Sequence, residues 1–219
     1  MKTTRKNGLA RLAFAGICLT ALPTNAGAHP HIFAEARLEV MLGEDDQVEE
    51  LRHVWRFDEF FSSTVMLEFD ANTNLELEPE ELEAIGETVR QSLADFDYYT
   101  SIQKDGVELG VVAPERIFAN FEDGQLLMFF SVKPKAAAPL DGKLAFGVYD
   151  PTMYAAIDFV NDTDLVVMGD AGDCESAVIR PDPDQVLAEM QGSLTDAFFN
   201  DPEGYDVSQL FATRLEVTC

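Results

Sequence analysis

Apolar and polar residues alternate strictly at two places early in the chain. Ile32, Ala34, Ala36, Leu38, Val40 and Leu42 share one face of a strand over residues 31–42. Gly43-Glu44-Asp45-Asp46 turns the chain, and Val48–Phe57 returns with Leu51, His53, Trp55 and Phe57 on one face. The period then changes. A helix is predicted at 58–69 and a second at 79–96, where Leu82, Ile85, Val89, Leu93 and Phe96 fall at helical spacing. Beyond Tyr98 the pattern is strands and turns. Lys104-Asp105-Gly106 and Glu122-Asp123-Gly124 are hairpin signals, the second between apolar runs at 116–121 and 125–132. Residues 133–139 form a Pro/Ala linker. Strands follow at 143–149 and 153–160, then a short helix at 184–192 and a closing strand at 213–218. The sum is an α+β fold: a mainly antiparallel β-sheet or sandwich domain with an inserted helical pair over 57–97.

The first 28 residues do not share this pattern. Lys2, Arg5, Lys6 and Arg11 precede an apolar run, Leu12–Leu22, and Ala26-Gly27-Ala28 offers a small-residue cleavage site. This has the form of a secretory signal peptide, and the run is well short of the ~20 residues a membrane span needs. The expectation is export, a single periplasmic domain over 29–219, and a chain that does not itself span the membrane. Composition then sharpens. The 219 residues carry 40 acidic against 15 basic side chains, net −25. Loss of the leader removes four basic residues and no acid, leaving 11 basic residues and a net charge of −29. Such a surface repels nucleic acid and anionic lipid and attracts cations or basic proteins. Cys18 also leaves, so Cys174 and Cys219 remain as an even pair in an oxidising compartment, which reads as a disulfide. Two soft metal ligands are the alternative, without a CxxC spacing to support it.

Cleavage after Ala28 makes His29 the first residue, with Pro30 and His31 behind it. The α-amine and imidazole of a terminal His together chelate a metal ion at neutral pH, and His31 adds a third nitrogen. Pro30 has no N–H, which blocks the square-planar copper or nickel site built on deprotonated amides and leaves tetrahedral zinc as the natural guest. Aligning the two strands on their apolar faces puts residue 31 across from Asp58, making Asp58 a candidate fourth ligand. The same parity places His53 on the Trp55/Phe57 face, in the core. The alternative for the terminus is a frayed end with two solvated histidines.

Asp70-Ala71-Asn72-Thr73-Asn74-Leu75-Glu76-Leu77-Glu78-Pro79-Glu80-Glu81 lies between the two helices. Counted from Asp70, side-chain oxygens fall at positions 1, 3, 5, 9 and 12, and Glu76 at position 7 offers its carbonyl. That is the spacing of an EF-hand loop. Asp70, Asn72, Asn74, Glu76 and Glu81 are therefore calcium candidates. Leu75 stands where Gly is usual, because the sixth position takes a positive φ. A solvated acidic turn is the alternative.

Together these segments resemble a known family. The A-HPH-I-F start, RHVWRFDEFFS, the EF-hand-like segment, FDYYT, VYDPTMYAAIDF, a late Cys and a C-terminal V-x-C are similar to the ZevA-like periplasmic proteins. Those are described as the periplasmic component of an uncharacterised ABC-type transport system. The resemblance covers essentially all of 29–219. It implies a zinc-handling accessory role beside an inner-membrane permease of the nickel/cobalt type, with His29, His31, His53, Asp58, Asp150 and Tyr154 at matching positions. The family often has a second His after His53, where this chain has Val54. Against this binding reading stand two others: a secreted metalloenzyme using the terminal histidine, and a calcium-stabilised structural or interaction domain. No GxSxG, HExxH or Cys/His pairing supports hydrolysis, so the expectation is a protein that is not an enzyme.

Overall fold

Which residues pair decides where the candidate ligands lie. The computed structural model describes residues 30–193 and 207–219, without the side chains of 191–193. The predicted leader, its cleavage site and His29 therefore lie outside the described residues. The strands are β1 (Ile32–Leu42), β2 (Val48–Phe57), β3 (Thr100–Lys104), β4 (Val107–Glu108), β5 (Val111–Val112) and β6 (Phe118–Glu122). They continue as β7 (Gln125–Pro134), β8 (Lys143–Val148), β9 (Ala155–Asp158), β10 (Leu165–Met168), β11 (Glu175–Ile179) and β12 (Arg214–Thr218). Helices α1 (Glu59–Phe69) and α2 (Pro79–Ser92) lie between β2 and β3, and α3 (Pro183–Ser193) and α4 (Ser208–Phe211) come late.

The fold is the expected α+β arrangement of mainly antiparallel sheets. One sheet runs β10-β1-β2-β7-β5, with β9 also on β1 and β6 also on β7. The other runs β11-β12-β8-β3-β4. Both edges of the first sheet are broken strands. β9 and then β10 follow β1 in parallel, pairing with Ile32–Glu35 and Leu38–Met41, while β6 and β5 pair with successive parts of β7. The inward residues of the two sheets meet in one core, in which Leu38, Leu51, Trp55, Ile102, Leu126, Met128, Leu144 and Phe146 are buried. Burial of that many large side chains, at roughly 1.5–3 kcal/mol each, is the main driving force of the fold.

Four expectations change. First, the β1–β2 register is offset by two residues from the one inferred. Ala36 faces Trp55 and Leu38 faces His53, so Asp58 lies across from Phe33 and not from His31. Gln47 lengthens the turn, where it bridges Pro139, and a bulge between Met41 and Leu42 adds the second residue. An even offset preserves parity, so every core face stays as read. Second, α2 ends at Ser92 and not at 96. The chain leaves it through a turn in which Asp97, Tyr98 and Tyr99 take φ of 46°, 56° and 56°. Third, β7 runs on through Pro134 into the stretch read as a linker. Fourth, β10 and β11 occupy residues given no element in the sequence reading. Parallel pairing carries no local turn signal, and β10 is four residues long.

Two close contacts help to fix the helical pair to the first sheet. Ser62 is fully buried; its hydroxyl donates to Asp58 O at 2.7 Å and accepts from Leu126 N of β7 at 2.9 Å. Gly86 lets α2 lie directly on the chain entering β6, since a Cβ there would sit 2.0 Å from Ile117 O. At the far end, the expected Cys174–Cys219 disulfide is formed, tying the chain before β11 to the end of β12. Closing a loop of this size stabilises by about 4 kcal/mol on the chain-entropy account.

Candidate functional site

The chain enters β1 at an exposed histidine. The His31 N–H donates to Tyr154 O at 2.8 Å, and its ring lies 4.9 Å from the Tyr154 ring. Residue 154 immediately precedes β9, which pairs with Ile32–Glu35, so His31 sits just before the start of a strand that is paired on both sides. On the other side of β1 stands Asp58, the N-cap of α1. Its Oδ1 accepts Phe60 N at 2.9 Å and Phe61 N at 3.0 Å, and its Oδ2 accepts Phe33 N at 3.1 Å. One carboxylate thus satisfies two orphan helix donors and ties β1 to α1. The structure does not bring Asp58 and His31 into cross-strand register.

His53 is in the core, 1% exposed. It stacks on Phe130 at 4.5 Å with 5° between the planes, and Trp55 meets it edge-on at 6.0 Å. The Thr100 hydroxyl donates to Tyr98 O, which leaves its oxygen free to accept from His53 Nε2 at 3.3 Å. That assigns the ring proton to Nε2 in the neutral tautomer. His53 Nδ1 and Trp55 Nε1 are buried without a protein hydrogen-bond partner. Burial disfavours the imidazolium and lowers the His53 pKa to about 3.

The YDP segment forms a second polar knot. Asp150 is 2% exposed, yet its carboxylate is well supplied: Oδ1 accepts Thr152 N at 2.8 Å and the Thr152 hydroxyl at 2.7 Å, and Oδ2 accepts Ala155 N at 2.8 Å. The Tyr99 hydroxyl is hydrogen-bonded to the same carboxylate; burial first, then the charge of Asp150, raises its pKa. Asp150 thereby shapes the turn that carries Tyr154 to His31. Sequence reading assigned no role to Tyr99 or Thr152. The signal for them was the run Phe96-Asp97-Tyr98-Tyr99-Thr100, whose three left-handed residues each cost about 1–2 kcal/mol outside Gly. Burial of Tyr98 and the stacking of Tyr99 on Trp55 at 6.2 Å offset that strain.

The loop between α1 and α2 folds around its own side-chain oxygens. Asp70 accepts Asn74 N at 3.1 Å and Leu75 N at 2.7 Å, and Asn72 Oδ1 accepts Asn74 N at 2.9 Å. Asn74 Oδ1 accepts Glu76 N at 2.8 Å. Glu81 closes the loop, accepting Ala71 N at 2.8 Å and Glu78 N at 3.0 Å. Leu75 takes φ of 64°, the left-handed conformation expected at the sixth position. The amides of Asn72 and Asn74 donate to Glu78. Hydrogen bonding, first with the Glu81 side chain and then with Asn74 and Asn72, lowers the Glu78 pKa to about 2. The donors are all hard oxygens, the chemistry calcium takes. Among the described residues no three His, Cys, Asp or Glu side chains form a group able to hold a metal ion; the loop relies on two asparagines and the Glu76 carbonyl. No helix among the described residues is long and apolar enough to cross a membrane.

Two facing sheets, a helical pair with an EF-hand-shaped loop and a histidine at the entry to β1 define an α+β protein of mainly antiparallel sheets. The chain belongs to the family described as "Protein of unknown function (DUF1007)", whose model matches residues 14–219. Among curated proteins none matches it.

Proposed function

We propose that this is an exported, periplasmic accessory protein, ZevA-like in kind, that captures a divalent metal and supplies it to an inner-membrane permease of the nickel/cobalt type. Zinc is the metal its nitrogen donors suit. The observation that carries this reading is the placement of His31: an exposed imidazole immediately before β1, anchored through its N–H to Tyr154. A cleaved chain would add the α-amine and imidazole of His29 two residues away. Three nitrogens from one short segment suit tetrahedral zinc with one position left for a recipient's ligand, which favours transfer over permanent storage. Asp58 serves the helix cap in this account and is not needed as a ligand. The reading requires no catalytic residue. Zinc titration of the chain beginning at His29, against His31→Ala, tests it. A loss of affinity of tenfold or more is expected, and equal affinity refutes the role of His31.

Calcium at the 70–81 loop is the second reading, favoured by the φ of 64° at Leu75. Asp70, Asn72, Asn74, the Glu76 carbonyl and Glu81 would hold the ion. It would supply positive charge to the carboxylates and stabilise the helical pair. Melting with calcium and with chelator tests this independently of zinc. A rise in Tm with calcium that Asp70→Ala abolishes supports it; identical melts refute it.

A further inference from the structure

Four large apolar side chains are exposed at the pole where β1 begins: Phe33 at 53%, Phe60 at 80%, Met153 at 40% and Tyr154 at 47%. Backbone pairing brings them to one place. Phe33 and His31 lie on the outward face of β1, Tyr154 meets the His31 ring, and Met153 precedes it in the same turn. Phe60, the second residue of α1, is linked to Phe33 through Asp58, whose carboxylate accepts the backbone N–H of both. Isolated exposed apolar residues are ordinary, whereas two phenylalanines exposed beside a candidate metal ligand are a contact surface in waiting.

The backbone that carries the two rings is held in place. The Asp58 carboxylate holds the backbone of both, Phe33 N on Oδ2 and Phe60 N on Oδ1. Aromatic anchors on a preset backbone leave only side-chain entropy to be lost on binding, and aromatic residues dominate interface energies. The rim is acidic: among the described residues that pairing brings beside the patch, Glu35, Glu59 and Asp158 are exposed, and Arg56 is the basic residue that faces Glu35. That charge disfavours both anionic lipid and a second copy of this chain, whose own rim would carry the same sign. It favours a protein surface with an apolar centre and a Lys/Arg rim.

We infer that Phe33 and Phe60, set by Asp58, form the docking surface for a basic-rimmed apolar protein partner, next to His31. The inference rests on the accessory reading only for naming that partner as the metal's recipient.

The test places p-benzoylphenylalanine at exposed Thr64, one helical turn from Phe60, in the full chain made in its native host. After irradiation the product is identified by mass spectrometry. The expected product joins residue 64 to an integral membrane protein at a segment flanked by Lys or Arg. Its yield falls at least tenfold with Phe33→Ser/Phe60→Ser and with Glu35→Lys/Glu59→Lys, while Tm is unchanged. No product, a product with a second copy of the chain, or a yield indifferent to these variants overturns the proposal. So does binding of the parent chain to vesicles of phosphatidylcholine with phosphatidylglycerol that Phe33→Ser/Phe60→Ser abolishes. Zinc titration of Phe33→Ser/Phe60→Ser separates the two claims: docking lost with zinc affinity intact supports this surface. If the parent chain beginning at His29 binds no zinc yet still crosslinks, the metal reading falls and the surface stands.

Discussion

Replacing Gly86 by Ala sets two effects of known sign against each other. In an exposed helix interior the change stabilises by about 1 kcal/mol, because Ala is the better helix former. Here the new Cβ would meet Ile117 O at 2.0 Å and Ile117 C at 3.1 Å, both backbone atoms of the chain entering β6. An ordinary carbon–oxygen contact is about 3.4 Å, so α2 or the strand must retreat by more than 1 Å, and no rotamer relieves it. Overpacking of this kind costs about 1–3 kcal/mol, and more when the obstacle is backbone. The retreat also loosens Ile85, which is 1% exposed beside it. Net destabilisation of about 1–2 kcal/mol is expected, a fall in Tm of about 2–8 °C for a chain of this size. Thermal and urea unfolding of Gly86→Ala, with exposed Thr88→Ala as the helix-propensity control, measures it. If Gly86→Ala matches or exceeds the stability of the parent, the close packing of α2 on β6 is wrong.

His53 predicts an acid limb. Its folded pKa, about 3, lies below the unfolded value of 6.5, so the unfolded chain binds the extra proton and stability falls as pH drops from 6.5 towards 3. The full difference is on the order of 5 kcal/mol; urea unfolding at pH 7, 5 and 4 should show a steeper loss in the parent than in His53→Phe, and parallel losses would refute the neutral buried imidazole. Asp58→Ala removes the cap of α1 and the tie to Phe33, and should cost about 1–2 kcal/mol in a melt, with Asp58→Asn costing less. Leu75→Gly relieves a left-handed residue that is 70% exposed and packs little. Removal of about 1 kcal/mol of strain is nearly balanced by glycine's flexibility, so Tm without calcium should hardly move, and a large fall would show that Leu75 has a packing role.

Much of the fold was legible because it is written locally. Alternation at 32–42 and 48–57 defined the central hairpin, and Asp-Gly at 105–106 and 123–124 marked turns whose residues take positive φ. Parity alone placed His53 inside, and it survived a two-residue error in register because two is the strand period. What failed was non-local. The register depends on a bulge near Leu42 that leaves no compositional mark, and the parallel partners β9 and β10 are reached through crossovers. The early end of α2 depends on Tyr98 and Tyr99 finding the core and Asp150, contacts from the far half of the chain. The candidate site divides the same way. Spacing showed the 70–81 loop and the histidines. It could not show that Asp58 spends its oxygens on three backbone N–H groups, or that Asp150 and Tyr99 build the turn holding Tyr154 against His31.

The central claim, metal capture by the processed terminus, is tested most directly by adding a single Ala before His29 and comparing zinc binding by isothermal titration. The extension keeps both imidazoles and the fold but moves the α-amine out of reach of the His29 ring. A loss of affinity of at least tenfold, with unchanged melting of the metal-free protein, is the predicted result. Equal affinity in the two forms would contradict the account.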